Sequence, residues 1–383
     1  MKRFLFFSFA VSALCANELE LKSYIGYEYK SYLKKSVDKR DYNSALTFQN
    51  ELKYSFDNSR LYSKIDIIED TDESQRDYID LTEFYIVVPS SNFDFYFGKR
   101  VIFLGSLEAY NIVDIFNRQN YQRDSLSEYK KGVYLIGINY YFEDDSRLNV
   151  YIKSFEEDIK FLSESSPYYP FGANTYDKKL LFANGNEQPS LLLTYAKTYD
   201  EYITADVCYG FFYGYDDHLF SKKSGNKYQS MLFQSMKFFT YDTFVVGAAL
   251  LKLEASFTKI QDDAHYDLDD FYDIGIGAEY TLERIIGNHN LGIIVEYYKA
   301  DDPFTFFDND LFFALRYSLN DKDSSEFLGG IVKDLQSDEV SAYAKYEGRL
   351  SDMFKISADI RYLKGENYLD EHLRLGCEIK YYF

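Results

Sequence analysis

The sequence of 383 residues contains no tryptophan and only three cysteines, four histidines and five prolines. Nowhere does it approach the roughly 20 consecutive apolar residues that a transmembrane helix needs, which excludes a helical membrane span. No histidine lies beside a nucleophile or at a metal-ligand spacing, and no glycine-rich phosphate-binding loop is present. The net charge of −20 argues against nucleic acid as a partner. We therefore predict no enzymatic activity, no cofactor and no metal site.

The few prolines and cysteines are placed as a β-sheet protein requires. Proline cannot donate a hydrogen bond to a sheet, and here every proline lies between alternating runs or at the first residue of one. Cys208 lies on the predicted wet face of its strand, whereas Cys377 lies on the predicted apolar face. Side chains on opposite faces of a barrel wall cannot reach disulfide geometry. We therefore predict two free thiols.

The clearest pattern in the sequence is the strict alternation over residues 372–383. One face carries Leu373, Leu375, Cys377, Ile379, Tyr381 and Phe383; the other carries Arg374, Gly376, Glu378, Lys380 and Tyr382. Period-two alternation places one face against an apolar medium and the other against water. A strand that ends the chain on an aromatic residue resembles the terminal signal of bacterial outer-membrane β-barrels. This resemblance implies the outer membrane as the location, with outer-membrane lipid and the barrel-assembly machinery as partners.

The composition agrees with a barrel in a membrane. Mean hydropathy is −0.37, yet 40 tyrosines and 34 phenylalanines make 19% of the chain aromatic. Transmembrane barrels combine a polar lumen and polar loops with aromatic girdles at the two membrane interfaces. Without tryptophan, tyrosine and phenylalanine must form these girdles alone. The alternative, a large soluble β-protein, does not explain the terminal phenylalanine.

Alternating runs of about 10 to 16 residues divide the chain into about eighteen predicted strands, with sixteen as the alternative. The tenth and eleventh runs are 227–239 and 243–258. Connections after even-numbered strands are short and rich in Asn, Asp and Ser, which favour tight turns. The long connections all follow odd-numbered strands; they are 103–130, 157–188, 214–226, 259–267 and 299–308. The fold class predicted is all-β, a transmembrane antiparallel up-and-down β-barrel.

The first residues have the pattern of a secretory signal. Lys2 and Arg3 precede an apolar stretch from 4 to 14, and Ala16 is a small residue suited to a cleavage point. We predict a signal peptide over 1–16 and a single barrel domain over 17–383.

The third outer loop, 103–130, which follows the fifth predicted strand, is the most distinctive segment. Together with the strand end before it, the loop resembles a stretch of proteobacterial porin-like families. The matching residues are Gly98, Lys99, Arg100, Gly105, Asp114 and Asn117. Leu104 stands where those families have tryptophan, and Arg118 where they have proline. In general porins this loop folds inward and narrows the pore. We expect the constriction residues to be Glu108, Asp114, Arg118, Arg123 and Arg100.

Charged side chains also alternate along the C-terminal strands, on the face predicted to be wet. The predicted lumen-lining residues are Arg316, Lys345, Lys355, Arg361, Arg374, Glu378 and Lys380. A row of basic side chains resembles the guide for anions in substrate-specific porins. Interleaved carboxylates and the aspartate-rich loops favour cations instead. The sequence leaves the sign of the selectivity open.

These features predict an outer-membrane porin, a passive channel for small hydrophilic solutes or ions. One alternative is a specialised transporter for a hydrophobic or polysaccharide substrate. Another is a closed barrel that acts as an adhesin or structural protein, since the loop 157–188 is rich in aromatic residues. A homotrimer is possible, because subunit contacts would be apolar like any lipid-facing wall.

Overall fold

A computed structural model describes residues 18–36, 38–124, 129–182, 188–201, 203–261, 269–365 and 371–383. The predicted signal peptide, 1–16, lies outside these residues. The strands in chain order are β1 (Leu19–Lys34), β2 (Tyr42–Phe56), β3 (Ser59–Asp70), β4 (Tyr78–Pro89), β5 (Phe93–Arg100), β6 (Val133–Tyr141), β7 (Arg147–Lys153), β8 (Thr175–Phe182), β9 (Ser190–Tyr199), β10 (Thr204–Tyr215), β11 (Phe220–Ser224), β12 (Lys227–Leu232), β13 (Gln234–Val246), β14 (Ala249–Ile260), β15 (Phe271–Ile286), β16 (His289–Ala300), β17 (Asn309–Ser318), β18 (Glu326–Asp334), β19 (Val340–Arg349), β20 (Phe354–Lys364) and β21 (His372–Tyr382). A short 3-10 turn, Ser74–Arg76, connects β3 to β4.

Eighteen of these strands form one closed antiparallel sheet; β8, β11 and β12 are the exceptions. Each barrel strand pairs with the next barrel strand along the chain, and β1 closes the cylinder against β21, with Tyr27 opposite Ile379. Closure pairs the backbone groups that a sheet edge would leave open, which a lipid environment demands. The prediction of eighteen strands in an up-and-down barrel is confirmed, and the alternative of sixteen is wrong. Among the described residues, no helix is long and apolar enough to cross a membrane.

The two faces of the barrel wall differ as the alternation predicts. On β21, Leu375 and Ile379 are about 40% exposed on the outside, whereas Arg374 is buried on the inside. The same outward exposure of large apolar side chains recurs on every side of the barrel. Cys208 is buried, Cys377 is exposed, and both thiols are free, which confirms that prediction. An apolar outer wall around a polar interior is the arrangement that a bilayer stabilises.

The sequence prediction was wrong about the boundaries of two strands. The tenth barrel strand is β13, not 227–239, and it turns into β14 at Gly247, whose φ is +62°. Thr240 and Asp242 resemble turn residues in the sequence. In the structure they lie within β13, where the Asp242 carboxylate accepts hydrogen bonds from the Cys208 amide and the Thr240 hydroxyl. Both side chains lie on the outer face, since Thr240 is opposite Tyr209 and Asp242 is opposite Leu253. A polar pair within a strand has the same local composition as a turn, which explains the wrong boundary.

The long loops after β7 and β10 contain a sheet of their own. β12 pairs antiparallel with β11 and parallel with β8. A separate apolar cluster, which includes Phe161, Phe171 and Tyr215, packs beneath this sheet. The described parts of the predicted loops 157–188 and 214–226 therefore form one cap at the long-loop end of the barrel.

Candidate channel constriction

The connection between β5 and β6 enters the barrel and packs on its inner wall. Val113 and Phe116 of this connection are fully buried, and Ile102, Leu104, Leu107, Ile112 and Ile115 are buried with them. Phe116 contacts Tyr151 of β7 and Phe212 of β10, with ring centroids 6.4 Å apart in both cases. This cluster extends along the inner face from β4 to β17 and includes Phe312. The loop thus covers one side of the lumen with a packed apolar layer.

Glu254 on β14 binds the first half of this loop. Its side chain is fully buried, and its Oε1 accepts hydrogen bonds from the backbone N–H groups of Ser106, at 2.5 Å, and Leu107, at 3.0 Å. Its Oε2 accepts one from Val113 at 3.4 Å. Hydrogen bonds from backbone N–H groups to a carboxylate are among the stronger ones in proteins. One wall carboxylate therefore satisfies three donors of an irregular loop that has few partners of its own.

Glu296 on the neighbouring region of the wall repeats this arrangement. Its two carboxylate oxygens accept hydrogen bonds from the N–H groups of Glu108, at 2.7 Å, and Ala109, at 3.0 Å. The Tyr298 hydroxyl donates to Glu296 at 2.6 Å and accepts from the Tyr110 N–H at 3.1 Å. Glu254 on β14 and Glu296 on β16 therefore act as two clamps that hold residues 106–113 against the wall.

Between the two clamps, glycines on β15 leave room for the loop. A Cβ at Gly275 would lie 2.5 Å from Leu107 Cδ1 and 3.1 Å from Ile112 Cδ1. A Cβ at Gly277 would lie 3.0 Å from Leu107 Cδ2. Because both glycines face inward, the loop can approach the backbone of β15 directly.

We expect Gly275→Val to push Leu107 and the loop away from the wall. Overpacking of this kind costs about 1 to 3 kcal/mol. The expected result is a noisier single-channel current with altered conductance, and Leu107→Ala should restore the wild-type current in the same chain. Gly329→Val is a control for the substitution itself, because Gly329 lies on the outer face opposite Leu315 and the nearest atom to a Cβ there is 3.6 Å away. Equal effects of both glycine variants would contradict the close-approach argument.

Asn117 holds the base of the loop together. Its fully buried side chain accepts a hydrogen bond from the Ile102 N–H at 2.7 Å and donates to the carbonyls of Lys131, at 2.7 Å, and Arg100, at 3.2 Å. One amide thus ties the start of the loop to its return. No aliphatic residue could make these three bonds.

The returning half of the loop contacts the opposite side of the barrel. Asp124 accepts hydrogen bonds from Lys30 of β1, at 2.8 Å, and Arg374 of β21, at 3.2 Å. The carbonyl of Arg123 accepts a hydrogen bond from the Arg76 side chain at 2.9 Å. The loop therefore spans the lumen from the β14–β16 wall to the β1 and β21 wall.

The predicted constriction residues fall into two groups. Glu108 lies in the lumen and forms an ion pair with Arg316 of β17, at 2.8 Å. Arg316 also contacts Glu279 at 2.9 Å and Glu326 at 3.9 Å. The structure thus brings together one predicted loop residue and one predicted wall residue, inside a group of three carboxylates.

The other predicted constriction residues have buried partners away from Glu108. Arg118 pairs with Glu156 at 2.9 Å, and Arg123 lies 3.9 Å from Asp66 with its guanidinium over the Tyr129 ring. Arg100 packs on the rings of two tyrosines, with its guanidinium 4.3 Å from the Tyr96 centroid. These arginines anchor the loop and its flanks.

Asp114 is also buried within the loop. Burial raises the pKa of its carboxyl to about 6, against the opposing effect of the Lys130 ammonium 3.4 Å away. Because its Oδ1 has no hydrogen-bond donor among the described residues, the carboxylate form is poorly compensated. Its position, like that of the three arginines, is structural.

The predicted lumen-lining residues occupy the inner face, and most carry a carboxylate partner. Lys345 and Lys355 both contact Glu347, and Lys380 contacts Glu378 at 3.1 Å. The Lys345 side chain is 48% exposed. Arg374 is buried between Asp124 and Asp359, and Arg361 lies opposite Tyr343 on the same face. The basic row is therefore interleaved with acid along its length.

Sequence reasoning missed the clamp function of the wall carboxylates. In the sequence, Glu254 and Glu296 look like any other charged residue on the inner face of a strand. The available signal was a pair of inward glycines, Gly275 and Gly277, on the strand between these two glutamates. Bare backbone on the inner face of one strand indicates that another segment packs there.

The cap reaches across the mouth to strands that are distant in sequence. Ser163 donates to the Glu73 carboxylate at 2.6 Å, and Arg40 pairs with the same carboxylate at 3.0 Å. The Tyr168 ring lies 5.5 Å from the ring of His372 and 5.8 Å from that of Tyr32. The loop after β7 is thereby attached to the β1–β4 and β21 side of the barrel.

No family model matches this chain, and no curated protein matches its sequence. Solved structures of three Pseudomonas aeruginosa proteins resemble it. OpdQ has a TM-score of 0.57 at 11% identity and covers 96% of this chain and 97% of its own. OccK11 (OpdR) has a TM-score of 0.56 at 9% identity, with 96% of each chain covered. OccK5 (OpdH) has a TM-score of 0.52 at 10% identity, with 96% and 98% covered. The chain therefore has the fold of outer-membrane β-barrel porins.

Proposed function

We propose that this protein is an outer-membrane porin through which small hydrophilic solutes or ions diffuse passively. The observation that carries the proposal is the partly exposed charge inside the barrel. Lys345, Lys355 and Glu347 on β19 and β20 keep about a third to a half of their side chains exposed. A sealed, packed interior cannot solvate charged side chains, whereas a water-filled passage can.

The loop and the wall define where this passage runs. Residues 102–116 pack against the inner face from β4 to β17. The partly exposed charges of Lys345, Glu347 and Lys355 support a hydrated side at β19 and β20. Glu108 and Arg316 lie where the loop meets this wall. Opposed charges at a narrow point orient dipolar solutes and raise the cost of passage for apolar ones. A hydrophobic substrate has less support, because the exposed inner side chains are charged.

The position of the inward loop also supports the proposal that this protein is related to porin-like proteins. Asn117, one of the residues that resemble the third-loop motif, ties the loop base, and Gly105, another, has a φ of +132° beside Asn111. We propose that these residues have the same roles in the families that the motif resembles. No catalytic function is part of the proposal.

We propose that the chain is exported with a signal peptide over 1–16 and inserted into the outer membrane by the barrel-assembly machinery through β21. Its apolar outer wall supports lipid contact. We also propose a homotrimer, whose subunits would contact one another through this apolar outer wall. Cross-linking of detergent-solubilised membranes would show a band at three times the chain mass if the trimer exists.

Planar lipid bilayers test the porin proposal directly. We expect the purified, folded protein to produce discrete conductance steps, and the heat-unfolded protein to produce none. The reversal potential in a potassium chloride gradient then reports the sign of selectivity. A folded protein that inserts and produces no steps at any voltage would rule out a diffusion channel.

The cap favours one second candidate, a closed barrel whose loops bind a partner. The cap begins at β7 and contacts the β1–β4 and β21 side of the mouth through Glu73 and through Tyr168. If these contacts close the barrel, Arg40→Ala combined with Tyr168→Ala should produce conductance steps that the wild-type chain lacks. Steps of equal size in both proteins would exclude this candidate.

A further inference from the structure

A cluster of titratable side chains lies outside the constriction, where the loop after β10 meets the loop after β16. His218 Nδ1 is 2.8 Å from Asp216 Oδ1 and 3.7 Å from Asp217 Oδ1. On the other side of the ring, His218 Nε2 is 3.5 Å from Asp302 Oδ2. We propose that Asp216, Asp217 and His218 form a binding site for a divalent transition metal, with Zn²⁺ as the best-fitting ion.

The spacing of the three ligand atoms suits zinc. One imidazole nitrogen and two carboxylate oxygens lie within 4.8 Å of one another. Ligand atoms bound tetrahedrally to one zinc ion lie about 3.4 Å apart, which the distances of 2.8 and 3.7 Å bracket. Three protein ligands leave a fourth position for water. An imidazole with two carboxylates favours zinc over calcium and magnesium, which prefer oxygen ligands alone.

The surroundings of the ligands have the features of a metal site. Asp302 lies at His218 Nε2, and a carboxylate on the second ring nitrogen is the usual partner of a metal-bound histidine. Asp216 Oδ2 accepts from Ser235, at 2.8 Å, and Lys237, at 3.0 Å. Its Oδ1 accepts from the His218 backbone N–H at 3.1 Å, which holds this oxygen beside the His218 ring. The ring of Phe304 stacks on His218 and fixes its plane.

Two further observations indicate that the site lacks positive charge. Asp217 Oδ1 is buried and has no hydrogen-bond donor among the described residues, although it lies among the proposed ligands. Asp273 adds a fourth carboxylate, through the hydrogen bond that it accepts from the Asp302 N–H. In the described part of the chain, Lys237 and His218 are the only cationic side chains within ion-pair distance of this group. A bound dication would balance the excess of carboxylates.

The sequence did not reveal this site. Three consecutive ligands match no standard zinc spacing, and Asp302 comes from a loop more than 80 residues away. The site is also independent of the porin proposal, because neither its ligands nor its test depends on conductance.

Calorimetric titration of the full-length protein in detergent with ZnCl₂, in excess CaCl₂, tests the proposal. We expect one zinc ion per chain. His218→Ala and Asp217→Asn should weaken binding at least about tenfold, and Asp302→Asn by about ten- to a hundredfold. His289→Ala is the control, since His289 bonds to the Tyr317 hydroxyl away from the cluster, and its binding should equal the wild type's.

X-ray absorption at the zinc edge adds a structural readout. We expect a shell of light atoms at about 2.0 to 2.2 Å that includes imidazole nitrogen. Heat-modifiable migration on a denaturing gel checks that each variant forms the barrel. If His218→Ala misfolds, Asp217→Asn still tests the site, because it changes only one poorly paired carboxylate. Three results would each overturn the site: no zinc binding by the wild type, undiminished binding by Asp217→Asn, or displacement by calcium.

Discussion

Replacing both clamp residues, Glu254→Ala with Glu296→Ala, should release the inward loop and raise the single-channel conductance and its noise. The double substitution leaves the N–H groups of residues 106–109 and Val113 without their acceptors. Hydrogen bonds to charged groups contribute about 1.5 to 3 kcal/mol each. Loss of even two such bonds shifts the balance toward a detached loop by roughly a hundredfold or more. Single-channel recording in planar bilayers measures the effect.

The control for this experiment is Glu347→Ala. Glu347 is also a carboxylate on the inner face, but its partners are Lys345 and Lys355, and it touches no residue of the loop. Its loss changes the lumen charge without freeing the loop, so open-channel noise should stay at the wild-type level. If Glu347→Ala and the clamp variant have the same noise, the carboxylates do not hold the loop. Each single clamp variant should lie between the wild type and the double variant.

The second large effect concerns ion selectivity at the Glu108–Arg316 pair. Glu108→Gln removes one of three carboxylates around Arg316. Arg316→Gln removes the cation that these carboxylates share, and only Glu279 keeps another basic partner, Lys252 at 3.4 Å, among the described residues. A unit charge acts on an ion about 4 Å away with about 1 kcal/mol in a water-like dielectric. The potassium-to-chloride permeability ratio should therefore fall by roughly two- to fivefold in Glu108→Gln and rise by a similar factor in Arg316→Gln. The reversal potential in a salt gradient gives this ratio.

Arg118→Gln provides the comparison for selectivity. Arg118 lies in the same loop, but its side chain is buried against Glu156. We expect its loss to destabilise the loop without a shift in the permeability ratio, provided that the channel remains intact. Shifts of the same sign in Glu108→Gln and Arg316→Gln would mean that this pair does not line the narrow part of the passage. A shift in Arg118→Gln alone would place the aperture on the other half of the loop.

The local pattern of the sequence was enough to predict the barrel. Alternation along β21 and β20 is a property of consecutive residues, and it separates the outer wall from the lumen whatever the strand packs against. The same reasoning failed at 227–239, because the apolar pattern continues from the cap strand β12 into β13. No turn residue separates the end of β12 from the start of β13, so the sequence does not show that the two strands belong to different sheets.

The constriction depends on contacts that local patterns do not encode. Glu254 lies 148 positions from Ser106, and Glu296 lies 188 positions from Glu108. Charge and position alone made Arg118 and Arg123 resemble Glu108, yet burial gives them structural partners. Whether a loop charge faces water or an ion-pair partner is decided by where the loop packs.

The sequence alone therefore determined the fold class and the polar face of strands such as β20 and β21, because these follow from period-two alternation, and it predicted about eighteen strands. The tertiary structure alone decided which carboxylates clamp the loop, which charges stay hydrated and which side chains converge around His218. These outcomes depend on closure of the cylinder, which brings strands and loops far apart in the chain within hydrogen-bond distance. Local alternation of apolar and polar residues thus predicts the barrel wall, whereas the contacts of the inward loop form only when the barrel closes.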